Sequence, residues 1–368
     1  MAWVAPDADA QGSSHALTPA TAIDLTIRFS QIYGFCPVRL RDIAHSWPVR
    51  LWGLALFCMQ ASLSVNLLHY LYSNSPMFGF FSDATVTVIL YTSVAVQGTA
   101  NQGISCLVTT SWKQLCHALR IVPDYSLSKE CKRELRMHCN LGITGVAAFT
   151  AACIGYLTWM LTANQQQQMG KLESVAFQAQ HFLVVTAVAA PTLLVYVLCK
   201  NLRFHFDHLR QDFLHKLHNF NGKKLPTAQA VVFSDAYLKL ISAVDSLDGV
   251  FGWFMLTAAV AATVSGTFVV YLFLALKAKQ MQVDHQLLLM VTTQLGCCLL
   301  LLHAAASLNE TARALKKDLL IASPEKYEER ALKIIVGVVF SHIIVLVELG
   351  LLGQQPETIG NNSAQKIS

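Results

Sequence analysis

Long apolar runs separated by short charged segments dominate the pattern along the chain. A helix needs about 20 apolar residues to cross the hydrocarbon layer, and seven runs meet that length. The predicted spans are 49–73, 80–108, 141–163, 181–203, 250–276, 286–307 and 331–352. Strands are not expected, because the runs are too long and an open sheet cannot sit in lipid. The pattern therefore predicts an all-α, polytopic membrane protein with seven transmembrane helices.

Helical periodicity continues beyond two of these spans. After span four, Phe206, Leu209, Phe213 and Leu217 fall on one helical face. This spacing predicts an amphipathic extension of the span, and residues 307–320 are expected to extend span six in the same way.

Composition and charge fix an orientation for these spans. The chain is 54% hydrophobic and 13% charged, whereas soluble domains carry about 25% charged residues. Of the 27 Lys and Arg residues, 23 lie in the N-terminal segment and in the loops after spans two, four and six. Cytoplasmic loops carry such an excess. We therefore expect a cytoplasmic N-terminus and an extracellular C-terminus, which excludes a G-protein-coupled receptor. The basic residues form no stripe with aromatics between them, so no nucleic-acid partner is expected.

The sequence offers no catalytic constellation. It has no glycine-rich phosphate loop, no HExxH and no nucleophile elbow, so we expect neither an enzyme nor a bound cofactor or metal. None of the ten cysteines falls in a predicted outer loop, which is typical of reduced thiols. Asp83 and Glu348 are single carboxylates far apart in sequence, and the spans show no inverted repeat. Both features disfavour a coupled transporter.

Residues 237–274 form an amphipathic segment that runs into span five, and this stretch resembles the fifth-helix region of insect gustatory receptors. The last span supports the resemblance. That family ends in Thr-Tyr, five apolar residues and Gln-Phe. This chain has Ser341-His342, five apolar residues and then Glu348-Leu349. All four positions are substituted, so the resemblance is to a distant member of the insect chemoreceptor superfamily.

The resemblance implies a ligand-gated, non-selective cation channel in the plasma membrane. Four subunits, identical or different, would each contribute the seventh helix to a central pore, and inorganic cations would pass through it. On this basis the expected pore residues are Ser341, His342, Ile344, Val345, Glu348 and Leu349. A carboxylate inside an apolar run costs about 3 kcal/mol unless it is solvated or paired. A ring of Glu348 side chains would concentrate cations. The alternative is a residue simply hydrated at the interface.

The expected ligand is a small organic molecule held at the outer ends of spans two to six. Aromatic walls with a few polar groups suit such a ligand. The residues expected to line this site are Asp83, Tyr156, Trp159, His181, Phe182, Thr267, Phe268, Tyr271 and Gln294. The aromatic belt at a membrane surface is the alternative explanation for any one of them.

The chain is thus divided into four parts. Residues 1–46 form a cytoplasmic segment and 47–307 a six-helix bundle. Residues 308–352 hold a cytoplasmic connection and the pore helix, and 353–368 an extracellular tail. Two other functions stay open: a secondary transporter, and a seven-helix receptor or scaffold that conducts nothing.

Overall fold

The computed structural model describes residues 19–38, 47–74, 83–122, 128–163, 171–219, 226–279 and 285–321. Regular structure in these ranges is helical. The eight helices are α1 (Pro19–Ile32), α2 (Trp47–Asn74), α3 (Asp83–Leu107), α4 (Thr109–Ile121), α5 (Lys129–Ala163), α6 (Lys171–Asn219), α7 (Thr227–Lys279) and α8 (His285–Ile321). The all-helical prediction is confirmed for this part of the chain.

Six predicted spans correspond to α2, α3, α5, α6, α7 and α8, while the seventh lies outside the described residues. Four stretches among the described residues are long and apolar enough to cross a membrane. They are Trp47–Asn66, Thr186–His218, Thr227–Val270 and Val291–Leu319. The chain is therefore a helical protein with several candidate membrane spans.

Helices α6, α7 and α8 extend well beyond their apolar spans, as the periodicity after spans four and six predicts. Phe206, Leu209 and Phe213 are buried on the inner face of α6. The ring of Phe213 packs edge-to-face on Phe233 of α7, with 5.3 Å between ring centroids. Aromatic pairs in this geometry contribute about 1 kcal/mol beyond their burial, so they help to hold the extensions together.

Contacts between helices define two ends of the bundle. Glu134 of α5 pairs with Lys200 of α6, and Arg210 of α6 pairs with Asp318 of α8. We call the end of the bundle that holds these ion pairs the basic end. There α3 finishes, α4 lies and α5 begins. At the far end, α3, α6 and α8 begin while α5 and α7 finish. This arrangement brings the predicted outer helix ends to one side of the bundle.

The segment after α1 folds into the basic end of the bundle. Phe35, Cys36 and Val38 are buried there, and Phe35 packs against Phe254 of α7. Gly34 makes the turn with φ at 77°, a left-handed conformation that favours glycine. A Cβ at this position would lie 2.8 Å from the Cα of Gly53 in α2. The turn therefore needs glycine for its conformation and for this close approach.

Candidate functional site

Two of the predicted ligand-site residues pack between helices near the far end of the bundle, the partly buried Phe268 and the buried Gln294. Phe268 of α7 packs beside a small apolar cluster formed by Leu90 of α3 and Val291 of α8. Gln294 of α8 is 1% exposed. Three helices thus meet around these two side chains.

Two other predicted residues lie at the surface, in the outer halves of α5 and α7. Trp159 of α5 is 61% exposed. The Thr267 side chain is exposed, and its hydroxyl donates to the carbonyl of Thr263 on its own helix. The structure does not bring either side chain to Phe268 and Gln294.

The remaining predicted residues are placed only by their helices. Asp83 begins α3, Tyr156 lies in α5, His181 and Phe182 lie in α6, and Tyr271 lies in α7. All five backbone positions are at the far end or in the half of the bundle next to it. The predicted pore residues fall outside the described residues.

A group of polar side chains, all buried except the partly buried Thr257, lies in the middle of the bundle. We call it the polar core, and its members are Gln97, Asn101, Gln102, Thr257, Ser265 and Gln294. The Gln294 amide nitrogen donates to the Gln97 side-chain oxygen at 2.7 Å. The Ser265 hydroxyl donates to the Gln294 side-chain oxygen. Gln294 therefore links α3, α7 and α8 through one side chain.

One turn further along α3, Asn101 makes a second set of interhelical hydrogen bonds. Its amide nitrogen donates to the backbone carbonyl of Ala187 in α6 at 3.1 Å. Its side-chain oxygen accepts from the Thr257 hydroxyl of α7 at 2.8 Å. Asn101 is 3% exposed, and buried amides require such partners because desolvation is costly. The pairing fixes the rotation of α3 against α6 and α7.

Gln102 joins the polar core to the N-terminal segment. Its amide nitrogen donates to the backbone carbonyl of Tyr33 at 2.9 Å, immediately before the Gly34 turn. A cavity of about 140 Å³ lies nearby, and its lining includes Tyr33, Trp52 and Gln60. Its volume is too small for a drug-sized ligand, since such pockets measure about 300–1,000 Å³.

Ion pairs connect the helices at the basic end. The Lys200 ammonium lies 3.0 Å from Oε1 of Glu134, and its hydrogen bond is the main reason that the pKa of Glu134 is lowered. His138 lies one turn after Glu134, and its Nδ1 is 3.2 Å from the Tyr196 hydroxyl. These contacts hold α5 on α6.

Two thiols meet where the N-terminal segment packs on α4. Cys36 and Cys116 are each 1% exposed. Their mutual hydrogen bond, together with burial, raises the pKa of Cys36 well above its usual value, and the same hydrogen bond lowers the pKa of Cys116. The arrangement is that of two thiols packed against each other in the core.

The fold of the chain is similar to that of a solved receptor. No protein-family model matches the chain, and no curated protein sequence matches it either. The solved insect olfactory receptor OR5 from Machilis hrabei superposes with a TM-score of 0.62 and 13% sequence identity. The match covers 89% of this chain and 97% of that one. The same receptor in complex with eugenol superposes with a TM-score of 0.59, again at 13% identity, and the match covers 90% and 98% of the two chains.

The chain has the insect chemoreceptor fold. The resemblance predicted from residues 237–274 and the last span is confirmed at the level of the fold. The match extends beyond those segments over nearly the whole length of both chains.

The sequence reasoning missed most of the polar core. Gln97, Asn101 and Gln102 interrupt the apolar run of α3, and polar residues inside a span are expensive and often functional. That signal was available. Their partners on other helices were not, because they depend on how each helix is rotated.

Proposed function

We propose that the protein is a chemosensory receptor that binds a small organic molecule and opens a cation channel. The supporting observation is the superposition on an insect olfactory receptor over 89% of this chain. That receptor has been solved with eugenol bound. A volatile aromatic compound of this class is therefore a reasonable first agonist to test.

The ligand site in this proposal lies at the far end, between α3, α7 and α8. Phe268 offers an aromatic surface there, and Gln294 marks the polar floor. The far-end positions Asp83, Tyr156, His181, Phe182 and Tyr271 are also assigned to the site from the sequence. Sites for small organic ligands combine apolar walls with a few polar groups, and Phe268 and Gln294 offer one of each.

The conducting unit in this proposal is a tetramer in the plasma membrane. The seventh span, 331–352, lines the central pore, and the four parts of the chain keep the roles assigned from the sequence. The basic end faces the cytoplasm in this proposal, because the segments predicted to be cytoplasmic carry 23 of the 27 Lys and Arg residues of the sequence. An epitope tag before Ala2 should then be protected in intact cells, while a tag after Ser368 should be labelled from outside.

Current recording in transfected cells tests the channel directly. Cells that express the full chain are exposed to eugenol and to a panel of related aromatic odorants, with untransfected cells as the control. We expect agonist-dependent cation current and calcium entry. Surface-expressed tetramers that stay silent to the whole panel while they transport a solute would support a transporter instead.

Glu348 provides a test of the pore assignment. Glu348→Gln removes up to four charges from a ring without changing side-chain shape, and we expect lower single-channel conductance, most clearly at low ionic strength. Glu310→Gln is the matched control, because Glu310 is an exposed carboxylate of α8 outside the pore segment. Equal conductance in both variants, with channels demonstrably open, would remove Glu348 from the ion path.

A further inference from the structure

One face of α5 remains uncovered along its first five turns. Leu135 and Cys139 are buried on the opposite face, where they pack against Leu193 and Val197 of α6. The uncovered residues recur at helical spacing. They are Arg133, Arg136, Met137, Asn140, Leu141, Thr144, Gly145 and Ala148, and we call this set the α5 face.

The α5 face lines an open, shallow surface concavity of about 660 Å³, and the described residues that line it all belong to α5. Its chemistry changes along the helix axis. Arg133 and Arg136 lie at the basic end. Leu141, the first residue of the predicted span, is apolar and 71% exposed. Gly145 follows, and a Cβ there would meet nothing within 4 Å. The concavity thus runs from a cationic entrance to an open apolar groove.

The two arginines take no part in the ion pairs found among the described residues. Glu134, the nearest carboxylate in sequence to both, pairs instead with Lys200 of α6. Glu130 is exposed one turn before Arg133. The entrance therefore carries two guanidinium groups whose charge is not neutralised by a bonded carboxylate in the described structure.

We propose that the α5 face binds an anionic phospholipid of the cytoplasmic leaflet. The phosphate lies between Arg133 and Arg136, because guanidinium groups present planar donor pairs that match phosphate oxygens. Asn140 donates to the headgroup or glycerol region. One acyl chain follows Leu141 and the space over Gly145.

The dimensions fit this occupant. Gly145 lies nine residues beyond Arg136, which is about 14 Å along a helix axis. Half of a hydrocarbon layer is about 15 Å thick. Because the predicted span begins at 141, Gly145 lies about 6 Å inside this layer, so an acyl chain attached to a phosphate at Arg136 passes Gly145 on its way to the bilayer centre. The charge also fits, since anionic lipids are concentrated in the cytoplasmic leaflet.

This inference depends on the membrane orientation but not on channel activity. It is tested on the purified full chain without an agonist, so failure of the channel proposal does not affect the result. The receptor is extracted in mild detergent, and native mass spectrometry measures binding of phosphatidylserine and of phosphatidylcholine with the same acyl chains.

The charge test compares two double variants of the same helix. Arg133→Gln with Arg136→Gln should weaken phosphatidylserine binding about 25-fold, since each basic residue near an anionic surface contributes about a fivefold factor. Lys129→Gln with Lys132→Gln removes the same charge from positions outside the concavity, and we expect at most a threefold effect. Equal losses in the two variants would indicate general attraction and would overturn the site.

The groove test uses two glycines of α5. Gly145→Leu fills the apolar groove, whereas Gly155→Leu adds the same side chain at another open position. Only Gly145→Leu should reduce phosphatidylserine binding, and the melting temperatures of the two variants should match each other, since both replace an open helix glycine by leucine. Unchanged binding in Gly145→Leu would overturn the acyl-chain placement. Two results would exclude a phospholipid as the occupant. One is that free inorganic phosphate competes as strongly as phosphatidylserine does, and the other is that the α5 face cross-links to a second copy of the chain.

Discussion

Gln294 provides the sharpest test of the polar core. Gln294→Leu keeps roughly the size of the side chain but removes the hydrogen bonds to Gln97 and Ser265. Hydrogen bonds between helices in membrane proteins average about 0.6 kcal/mol, and a buried partner left unsatisfied costs about 1–3 kcal/mol. We therefore expect the single variant to lose about 2 kcal/mol of unfolding free energy.

The partner substitution distinguishes pairing from ordinary packing. Gln97→Leu should cost a similar amount, because it leaves the Gln294 amide nitrogen buried without its acceptor. The double variant should cost less than the sum of the two singles, since two apolar side chains then face each other and no amide is orphaned. The expected coupling energy is about 1 kcal/mol or more.

Unfolding is measured in mixed micelles by titration with dodecyl sulfate, and helix content is followed by circular dichroism. Thr263→Val is the control, because Thr263 is exposed on α7 and its hydroxyl bonds to Ala259 of the same helix. It should change the free energy by less than about 0.5 kcal/mol. If the double variant loses the sum of both single losses, the two amides do not stabilise each other and the polar core is refuted as a coupled unit.

Two further outcomes follow from the ligand site and the basic end. Phe268→Ala should raise the agonist concentration for half-maximal current more than Trp159→Ala does, because Phe268 packs against α3 and α8 while Trp159 is 61% exposed. Equal shifts in the two variants would contradict the placement of the site. The lowered pKa of Glu134 means that its bond to Lys200 stabilises the fold above about pH 4.5 and is lost as pH falls through the lowered value. Glu134→Gln should therefore flatten the acid side of a melting-temperature profile measured from pH 3.5 to 7, and an unchanged profile would show that the pair contributes nothing.

The positions of α2, α3, α5, α6, α7 and α8 were predictable because each depends on a local signal, whereas the shorter α1 and α4 were not predicted. A run of about 20 apolar residues marks a span wherever the helix ends up in the bundle. The spacing of Phe206, Leu209 and Phe213 likewise predicts one buried face without knowledge of its partner. These features therefore agree between sequence and structure in the described residues.

The inward or outward direction of single side chains was not predictable in the same way. Trp159 and Phe268 are both aromatic and lie at the same end of the bundle, yet one is exposed and the other packs inward. Interfacial aromatics occur on lipid-facing and protein-facing sides alike. The burial of Phe35 and Cys36 was equally hidden, because this short segment has no periodicity and its contacts are distant in sequence.

The polar core makes α3 the helix that is bonded to α6, α7, α8 and the N-terminal segment. Within two turns, Gln97 bonds to α8, Asn101 bonds to α6 and α7, and Gln102 bonds to the segment before the Gly34 turn. These side chains sit on one rigid helix and bond to different neighbours. Rotation or sliding of α3 by a few Å therefore breaks several of these bonds together.

At about 0.6 kcal/mol for each of these four bonds, such a movement of α3 costs about 2 kcal/mol. A ligand at the far end could offset that cost only if it bound the moved state about 30-fold more tightly. A weaker preference would leave α3 in place. The polar core therefore sets a threshold of differential affinity that any ligand acting through α3 must exceed.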